Sequence, residues 1–264
     1  MKRSEVFLSM NKHTARQKIG ASVLLTYWLM PIFASLAVTS VAAQQHYNAW
    51  FRATLSLSWS DHLKWDHELQ HRRQNGYGNE NLMDRNLMWT YRMWLQYQRK
   101  PHWRFAVSPI GYFNHYKIIQ TSEDAASQPV QEYRIAGSAE WHWQGNKRLG
   151  VLGRGGLEYR MFHDPRPDMT RFRLRWGMKL ACTDKIQIMV FDEVFIQPRS
   201  PVSAQHFDHN RAGVQVEYRI GHRLRMDMGW MHITRNLQSP DNYLYESNFF
   251  VHVLYSLALR RGDR

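Results

Sequence analysis

The sequence is poor in the features that mark many soluble enzymes. Its 264 residues include one cysteine, Cys182, and a single cysteine excludes an internal disulfide. No phosphate loop, dinucleotide-binding fingerprint or CxxC pair is present, so nucleotide-dependent and zinc-dependent chemistry have no motif to support them. After residue 43 the apolar residues show no helical period, and no stretch is long and apolar enough to cross a membrane as a helix. We predict no catalytic residue, no metal and no cofactor.

Acidic residues are scarce relative to basic ones. The chain has 35 Lys and Arg residues against 22 Asp and Glu, with 11 Trp, 13 Tyr and 12 Phe. A basic, aromatic-rich composition is typical of nucleic-acid-binding proteins. Here the bases alternate with apolar residues and have acids beside them, so they form no continuous basic stripe. We therefore predict no nucleic-acid partner and expect the aromatic residues to face lipid.

The first 43 residues differ from the rest of the chain. Five bases precede the apolar run GASVLLTYWLMPIFASLAVTSVAA, which ends in small residues. A basic start, an apolar middle and a small-residue end are typical of a secretory signal peptide. The charged start is long, so initiation at Met10 is an alternative. We expect residues 1–43 to be a cleaved signal and residues 44–264 to form one exported domain, with an uncleaved anchoring helix as the alternative.

Apolar and polar residues alternate with period two through nearly all of residues 48–259, which indicates strands with one face of each kind. Eleven such strands of roughly 10–17 residues can be counted, and their connections alternate between short turns and long loops. This layout is typical of an outer-membrane barrel, whose strands need about 9–11 residues to cross the bilayer. Because single-chain bacterial barrels have even strand numbers, we predict an antiparallel barrel of about twelve strands. The twelfth is expected within HYNAWFRATLSLSW or HWRFAVSPIGYFNHYKII.

A soluble β-sandwich would show the same alternation with its apolar face turned inward. Two observations favour the barrel. The strands exceed the length of about 5–6 residues that is typical of globular proteins. The tryptophans also cluster beside the short turns, as an aromatic belt at a membrane interface would. They are Trp59, Trp65, Trp103, Trp141 and Trp143.

The triplet EYR occurs three times, at residues 132–134, 158–160 and 217–219. On a strand the Glu and Arg side chains share one face and the Tyr side chain points to the other. In a barrel each triplet therefore places an acid and a base in the lumen and an aromatic ring against lipid. Pairs of opposite sign on neighbouring strands then neutralise each other.

The polar faces of the predicted strands carry both signs of charge and lean basic. If water enters the lumen, this predicts a mild preference for anions, and charge reversal at Arg173 and Arg175 is expected to lower it. The alternative is that the ion pairs only fill and rigidify a narrow barrel. The predicted lumen residues are Glu68, Arg72, Arg92, Glu132, Arg134, Glu140, Arg154, Glu158, Arg160, Arg173, Arg175, Glu193, Arg211, Glu217 and Arg219.

A rim enzyme is a further alternative, since barrel hydrolases carry Ser/His or Asp/His sets near one rim. The best local candidate is AQHFDHNR, with His206, Asp208, His209 and Arg211 at the base of a long loop. His206 and His209 would also suit a metal. Ser203 lacks the glycine-rich elbow of a nucleophile. We interpret the segment as a polar loop that leads into a strand.

The order of several segments resembles the domain-of-unknown-function 2490 family of predicted bacterial outer-membrane barrels. The similar pieces are WDHELQHR, IGYF, QEYRIAGSAEW, GLEYRMF, RFRLRWGMKL, FDEVFIQ and FDHNRAGVQVEYRI. Each piece is weak alone, and the ordered set is more specific. The resemblance implies an outer-membrane location and a barrel of about this size. It implies no activity and no substrate.

The sequence therefore predicts an outer-membrane barrel of a Gram-negative bacterium, in contact with outer-membrane lipid and lipopolysaccharide. The predicted function is a narrow channel or small-solute transport protein with a Glu/Arg-lined lumen and a mild preference for anions. A sealed structural or binding barrel, whose long loops contact ligands, is the first alternative. A rim hydrolase is the second.

Overall fold

The computed structural model describes residues 45–198, 206–237 and 243–259. The predicted signal segment, residues 1–43, and Ser203 lie outside the described residues. The strands are β1 Gln45–Ser58, β2 Leu63–Gln74, β3 Arg85–Lys100, β4 Trp103–His115, β5 Val130–Gln144, β6 Leu149–Phe162, β7 Met169–Ala181, β8 Ile186–Ile196, β9 Phe207–Arg219, β10 Leu224–Asn236 and β11 Tyr243–Ala258. One short 3-10 helix, Glu123–Ala126, lies in the loop between β4 and β5. In the described part of the chain, no helix has the length and apolar character needed to cross a membrane.

The strands close into one barrel in which each strand pairs with its neighbours in sequence, so the predicted all-β barrel is confirmed. Ten strand pairs are antiparallel, and β1 and β11 close the barrel as a parallel pair. The prediction of twelve antiparallel strands is therefore wrong in its count and at this seam. A meander with an odd number of strands must bring its first and last strands together in the same direction. The two segments expected to contain a further strand each form one strand, β1 and β4.

The two faces of the barrel wall differ in chemistry. Alternate side chains point inward and are mostly polar, and several acids among them are almost fully buried, such as Glu132 at 0% and Glu158 at 1% exposure. The intervening side chains point outward and are mostly apolar; Leu69 is 59% exposed and Ile135 is 47% exposed. A soluble protein buries its apolar face, so this wall is turned the opposite way.

A register shift in β4 changes which residues enter the lumen. Strict alternation predicts Phe113 on the outer face and Tyr112 on the inner face. The shift lies between Ser108 and Tyr112 and reverses this order. Phe113 is 2% exposed inside the barrel under the Arg134 guanidinium, while the Tyr112 ring contacts Tyr133 outside. The prediction is wrong here because a β-bulge exchanges the faces of every later side chain.

Tryptophan rings collect on the outer wall beside the short turns. Trp59 and Trp65 pack edge to face, with ring centroids 5.8 Å apart, on either side of the β1–β2 turn. Trp103 lies opposite Trp141 on the neighbouring strand, and both side chains are exposed. Exposed indole rings in one band are the pattern that barrels show where the wall meets a membrane interface.

Candidate functional site in the barrel lumen

Two cavities occupy the lumen. The lower cavity, in the half of the barrel near the short turns, has a volume of about 380 Å³. The upper cavity, in the half near the long loops, has a volume of about 250 Å³. Nine basic and four acidic residues line the lower cavity, and ten basic and three acidic residues line the upper one. Both cavities therefore carry a surplus of positive charge, which attracts anions.

The two cavities meet at a waist, which we define as the five residues that line both of them. Four are arginines and none is an acid; the residues are Trp50, Arg52, Arg92, Arg173 and Arg211. Trp50 is only 4% exposed. The guanidiniums of Arg72 and Arg211 lie 3.6 Å and 5.2 Å from its ring centroid. Cation–π attraction to both arginines therefore helps to fix the ring in the lumen.

The upper part of strands β5, β6 and β7 is a lattice of ion pairs. We call it the ion-pair wall, and it consists of Glu132, Arg134, Glu158, Arg160 and Arg171. Glu158 accepts hydrogen bonds from Arg171 at 2.6 Å, Arg173 at 2.9 Å and Arg134 at 3.3 Å. Because it is buried and shared by three bases, Glu158 offsets the desolvation of each of them.

Two EYR triplets supply this wall. Arg134 lies directly opposite Arg160 across the β5–β6 pair, an arrangement that like charges oppose. Glu132 accepts hydrogen bonds from both arginines at 2.8 Å and so neutralises the pair. The tyrosines of the two triplets, Tyr133 and Tyr159, are exposed on the outer wall. Each triplet thus places its acid and base inside the barrel and its ring outside.

The third EYR triplet lies at the opposite end of the barrel, beside the short turn between β9 and β10. Glu217 accepts a hydrogen bond from Arg219 at 2.9 Å and lies 3.7 Å from Arg225. The Arg219 side chain is 57% exposed. The triplet keeps the same alternation, but its ion pair is solvated at the rim and is worth little to stability.

Two more acids of the predicted lumen set pair with bases on neighbouring strands. Glu68 on β2 accepts a hydrogen bond from Arg92 on β3 at 2.9 Å and lies 3.6 Å from Arg52 on β1. Glu140 on β5 lies 3.4 Å from Arg154 on β6. Cross-strand pairing therefore accounts for the position of both acids.

The remaining predicted arginines differ in how many acids they contact. Arg173 bonds to Glu193 at 2.6 Å as well as to Glu158, and Arg211 lies 3.9 Å from Glu193. In contrast, Arg72 and Arg175 have no ion-pair partner among the described residues. Arg72 donates to the Gln70 side chain at 3.1 Å, and no described residue accepts a hydrogen bond from the buried Nε of Arg175. Their charges remain available to a ligand.

An apolar cluster inside the lumen was not predicted from the sequence. It comprises Trp50, Leu152, Met189, Phe191, Met231 and Ile233, with Phe250 packed against it. Alternation along β8 could have found part of it, since Met189 and Phe191 share the parity of Gln187 and Glu193. Gly229 makes room for the cluster, because a β-carbon there would come within 2.7 Å of the Phe250 ring. The lumen is therefore amphipathic rather than uniformly charged.

The histidine-containing rim segment is bound into the wall by other contacts. His209 is 1% exposed and stacks on Phe195, with ring centroids 4.0 Å apart. Asp208 accepts a hydrogen bond from Arg171 at 3.1 Å, and His206 is exposed. Within the described residues, no group of three or more His, Cys, Asp or Glu side chains could hold a metal ion. These contacts support the interpretation of the segment as the start of a strand.

The loop between β4 and β5 folds against the upper cavity, which Tyr116 and Ile118 help to line. The Gln74 side chain ties this loop to β2. It donates to the Lys117 carbonyl at 2.9 Å and accepts from the Ile119 amide at 3.2 Å. One buried glutamine thus sets the position of the loop beside the upper cavity.

Asp124 fixes the far end of the same loop. Its carboxylate accepts hydrogen bonds from the backbone amides of Gln120 at 2.9 Å and Thr121 at 2.8 Å. The Lys117 ammonium lies 2.5 Å from the other oxygen. Although Asp124 is buried, its pKa lies well below the usual range. The contact with Lys117 is the largest cause, and the hydrogen bonds from the two amides add to it.

Three comparisons with known proteins bear on this fold. The family described as Protein of unknown function (DUF2490) matches residues 47–244. Among curated proteins, none matches the chain. A solved structure of the NanC porin is 9% identical, covers 80% of this chain and 99% of its own, and has a TM-score of 0.48. A likeness at this level carries no argument about function.

Proposed function

This chain belongs to the family described as Protein of unknown function (DUF2490), and we propose that it is an outer-membrane channel for small anions. The barrel lies in the outer membrane of a Gram-negative bacterium, with lipid and lipopolysaccharide against its apolar wall. Small solutes pass through the lumen and no reaction is catalysed there. The exposed apolar outer wall and the tryptophan band beside the short turns support this location.

The residues of the waist are the main support for anion selectivity. Any solute that moves between the two cavities must pass Trp50 and four arginines, with no acid among the residues common to both cavities. Rings of arginine or lysine are the usual selectivity element of anion pores, because they replace part of the hydration shell of an anion and repel cations. Glu68 and Glu193 lie beside the waist and offset part of its charge, so the expected preference is mild.

Single-channel recording tests this proposal directly. The full chain would be expressed, purified from outer membranes and shown to be folded by its heat-modifiable migration. We expect discrete conductance steps in a planar bilayer and a reversal potential in a KCl gradient that indicates preference for chloride. A reversal potential that indicates preference for potassium would overturn the anion assignment.

A sealed barrel is the second candidate, and the packing of Trp50 favours it. The ring is 4% exposed between the two cavities, and the β4–β5 loop is tied to β2 beside the upper cavity. A silent bilayer from folded protein would support this candidate over the channel. The long loops would then be the place to search for a ligand.

A further inference from the structure

We propose that the lower cavity binds amphipathic anions, meaning small molecules with one carboxylate on a hydrocarbon or aromatic body. The inference rests on the proposed passage of anions and names the class of anion. A cavity of about 380 Å³ falls within the range of about 300–1,000 Å³ that holds small-molecule ligands in proteins.

The cavity has two arcs of different chemistry. Three members of the apolar cluster and the adjoining Phe250 line it, and they come from β1, β8, β10 and β11: Trp50, Phe191, Met231 and Phe250. Six of its nine bases come from the strands between β2 and β7: Lys64, Arg92, Arg104, Arg154, Arg173 and Arg175. In the closed barrel these two sets of strands form separate arcs, and the other three bases, Arg52, Arg211 and Arg225, lie in the same arc as the apolar residues. A simple inorganic anion would contact bases and leave the apolar side chains without a partner.

Arg175 connects the two arcs and is the expected carboxylate partner. Its guanidinium lies 4.1 Å from the ring centroid of Phe191, at the edge of the apolar cluster. Glu193 lies opposite it on β8 but bonds to Arg173, and no carboxylate among the described residues is within ion-pair distance of Arg175. Its buried Nε is not hydrogen-bonded to any described residue. A guanidinium in this state is set to bind a carboxylate through two parallel hydrogen bonds. The adjoining rings then receive the apolar body, whose burial adds free energy in proportion to its area.

The other arginines of the cavity are less available. Arg173 is held by Glu158 and Glu193, and Arg92 is held by Glu68. A ligand at either of these guanidiniums would compete with a carboxylate that the protein already supplies. The site is therefore centred on Arg175 rather than spread evenly over the basic arc.

Calorimetric titration of the folded, purified protein tests the inference, with 3-phenylpropionate as the probe. Acetate carries the same charge without the body, and 3-phenylpropan-1-ol carries the same body without the charge. We expect 3-phenylpropionate to bind at least tenfold more tightly than either one. Titration into empty micelles provides the blank for partition. Equal affinity for acetate would indicate a plain anion site, and equal affinity for the alcohol would indicate partition into an apolar space; either result overturns the proposal.

Variants locate the site and separate it from channel function. Arg175→Gln and Phe250→Ala are each expected to weaken 3-phenylpropionate binding at least fivefold. Arg148→Gln, an exposed charge in a short turn, and Leu69→Ala, an exposed apolar residue of the outer wall, should leave it unchanged. If Arg175→Gln does not fold, Arg175→Lys keeps the charge, loses the planar fork and should still weaken binding. Binding that is unchanged in Arg175→Gln, or equally lost in Arg148→Gln, sinks the assignment.

Failure of the inference and failure of the channel give different results. Chloride conductance without binding or block by 3-phenylpropionate would leave an anion channel and overturn the ligand class. A silent bilayer together with binding that depends on Arg175 would leave the ligand site and overturn the channel.

Discussion

The ion-pair wall and the waist use the same residue types to opposite effect. On the ion-pair wall two glutamates serve Arg134, Arg160 and Arg171, and each acid is shared by two or more guanidiniums at hydrogen-bond distance. At the waist two of the four arginines, Arg52 and Arg211, lie 3.6 Å and 3.9 Å from their nearest acids, and the Trp50 ring supplies part of the compensation for Arg211. The difference shows that the charge of a lumen arginine does not by itself indicate whether the residue is structural or available to a ligand. The number of acids that it contacts is the better guide.

The ion-pair wall and the waist differ for an electrostatic reason. Desolvating a buried guanidinium costs free energy. Only attraction to carboxylates at close range offsets most of that cost. On the ion-pair wall each guanidinium has a carboxylate at hydrogen-bond distance, so the arginines are structural. At the waist the nearest acids lie 3.6 Å from Arg52 and 3.9 Å from Arg211, and Arg175 has no carboxylate within ion-pair distance among the described residues, so an anion from solution improves the balance. We expect substitutions in the two regions to separate stability from selectivity.

The largest expected effect is on stability, at the centre of the ion-pair wall. Glu158→Gln removes one charge from a site shared by Arg134, Arg171 and Arg173. Breaking a buried pair in this way leaves uncompensated charge, and we expect a loss of about 3–5 kcal/mol in the free energy of unfolding. Urea unfolding in micelles measures it.

Glu80→Gln is the matched control for that prediction, since Glu80 is an exposed acid in the β2–β3 loop. Arg171→Gln in the Glu158→Gln background should recover part of the loss, because one of the unpaired bases is removed. Equal stability of Glu158→Gln and Glu80→Gln would show that the ion-pair wall is not structural.

The next effect concerns the waist itself. Trp50→Ala removes the ring that lies between the two cavities, and single-channel conductance should rise severalfold. The same change leaves a cavity among apolar residues and is expected to cost about 3–5 kcal/mol of stability. Conductance would be compared with Trp59→Ala, which removes an exposed tryptophan beside a short turn. Unchanged conductance would mean that Trp50 does not limit the pore.

A smaller effect separates two neighbouring arginines. Arg173→Gln breaks charge-assisted hydrogen bonds to Glu158 and Glu193, and we expect it to cost about 1.5–3 kcal/mol in the free energy of unfolding. Because Arg173 is one of the four waist arginines, the same change should also lower the anion preference. Arg175→Gln breaks no ion pair; it should alter stability by less than about 1 kcal/mol and lower the anion preference. Urea unfolding and the reversal potential, measured on both variants, test the contrast. A loss of stability in Arg175→Gln as large as that in Arg173→Gln would contradict the comparison.

The smallest effect lies outside the barrel wall. The pKa of Asp124 is depressed in the folded loop. Its contacts therefore stabilise the folded loop fully above the ordinary Asp pKa of about 4. This stabilisation is lost as the pH falls through the lower pKa of the folded state. Hydrogen-exchange protection of the Gln120 and Thr121 amides, corrected for the intrinsic exchange rate, should therefore decline only in acid. In Asp124→Asn this pH dependence should disappear. Protection that stays constant down to pH 2 in the wild-type protein would refute the prediction that the Asp124 carboxylate holds this loop.

The barrel and the orientation of its wall followed from the sequence alone. Alternation over long segments fixes which side chains share a face, and exposed apolar residues opposite charged ones indicate which face turns outward. The three EYR triplets illustrate this, since a period of two separates Glu and Arg from Tyr whatever the neighbouring strands are. Eleven strands were visible for the same reason. Only the assumption of an even number led to twelve.

Only the tertiary structure decided which charges are structural and which are free. Arg173 and Arg175 occupy equivalent positions on β7, and nothing in RFRLRWGMKL distinguishes them. Their difference arises from Glu158 and Glu193 on the neighbouring strands, and from where the Phe191 ring lies. Local alternation sets the face of a side chain, whereas side-chain contacts across the lumen set its partners. Glu193 lies directly opposite Arg175 in the strand register, yet its carboxylate bonds to Arg173. Such contacts exist only in the closed barrel, so the waist, the apolar cluster and the available charge at Arg175 emerged only when the strands were in place.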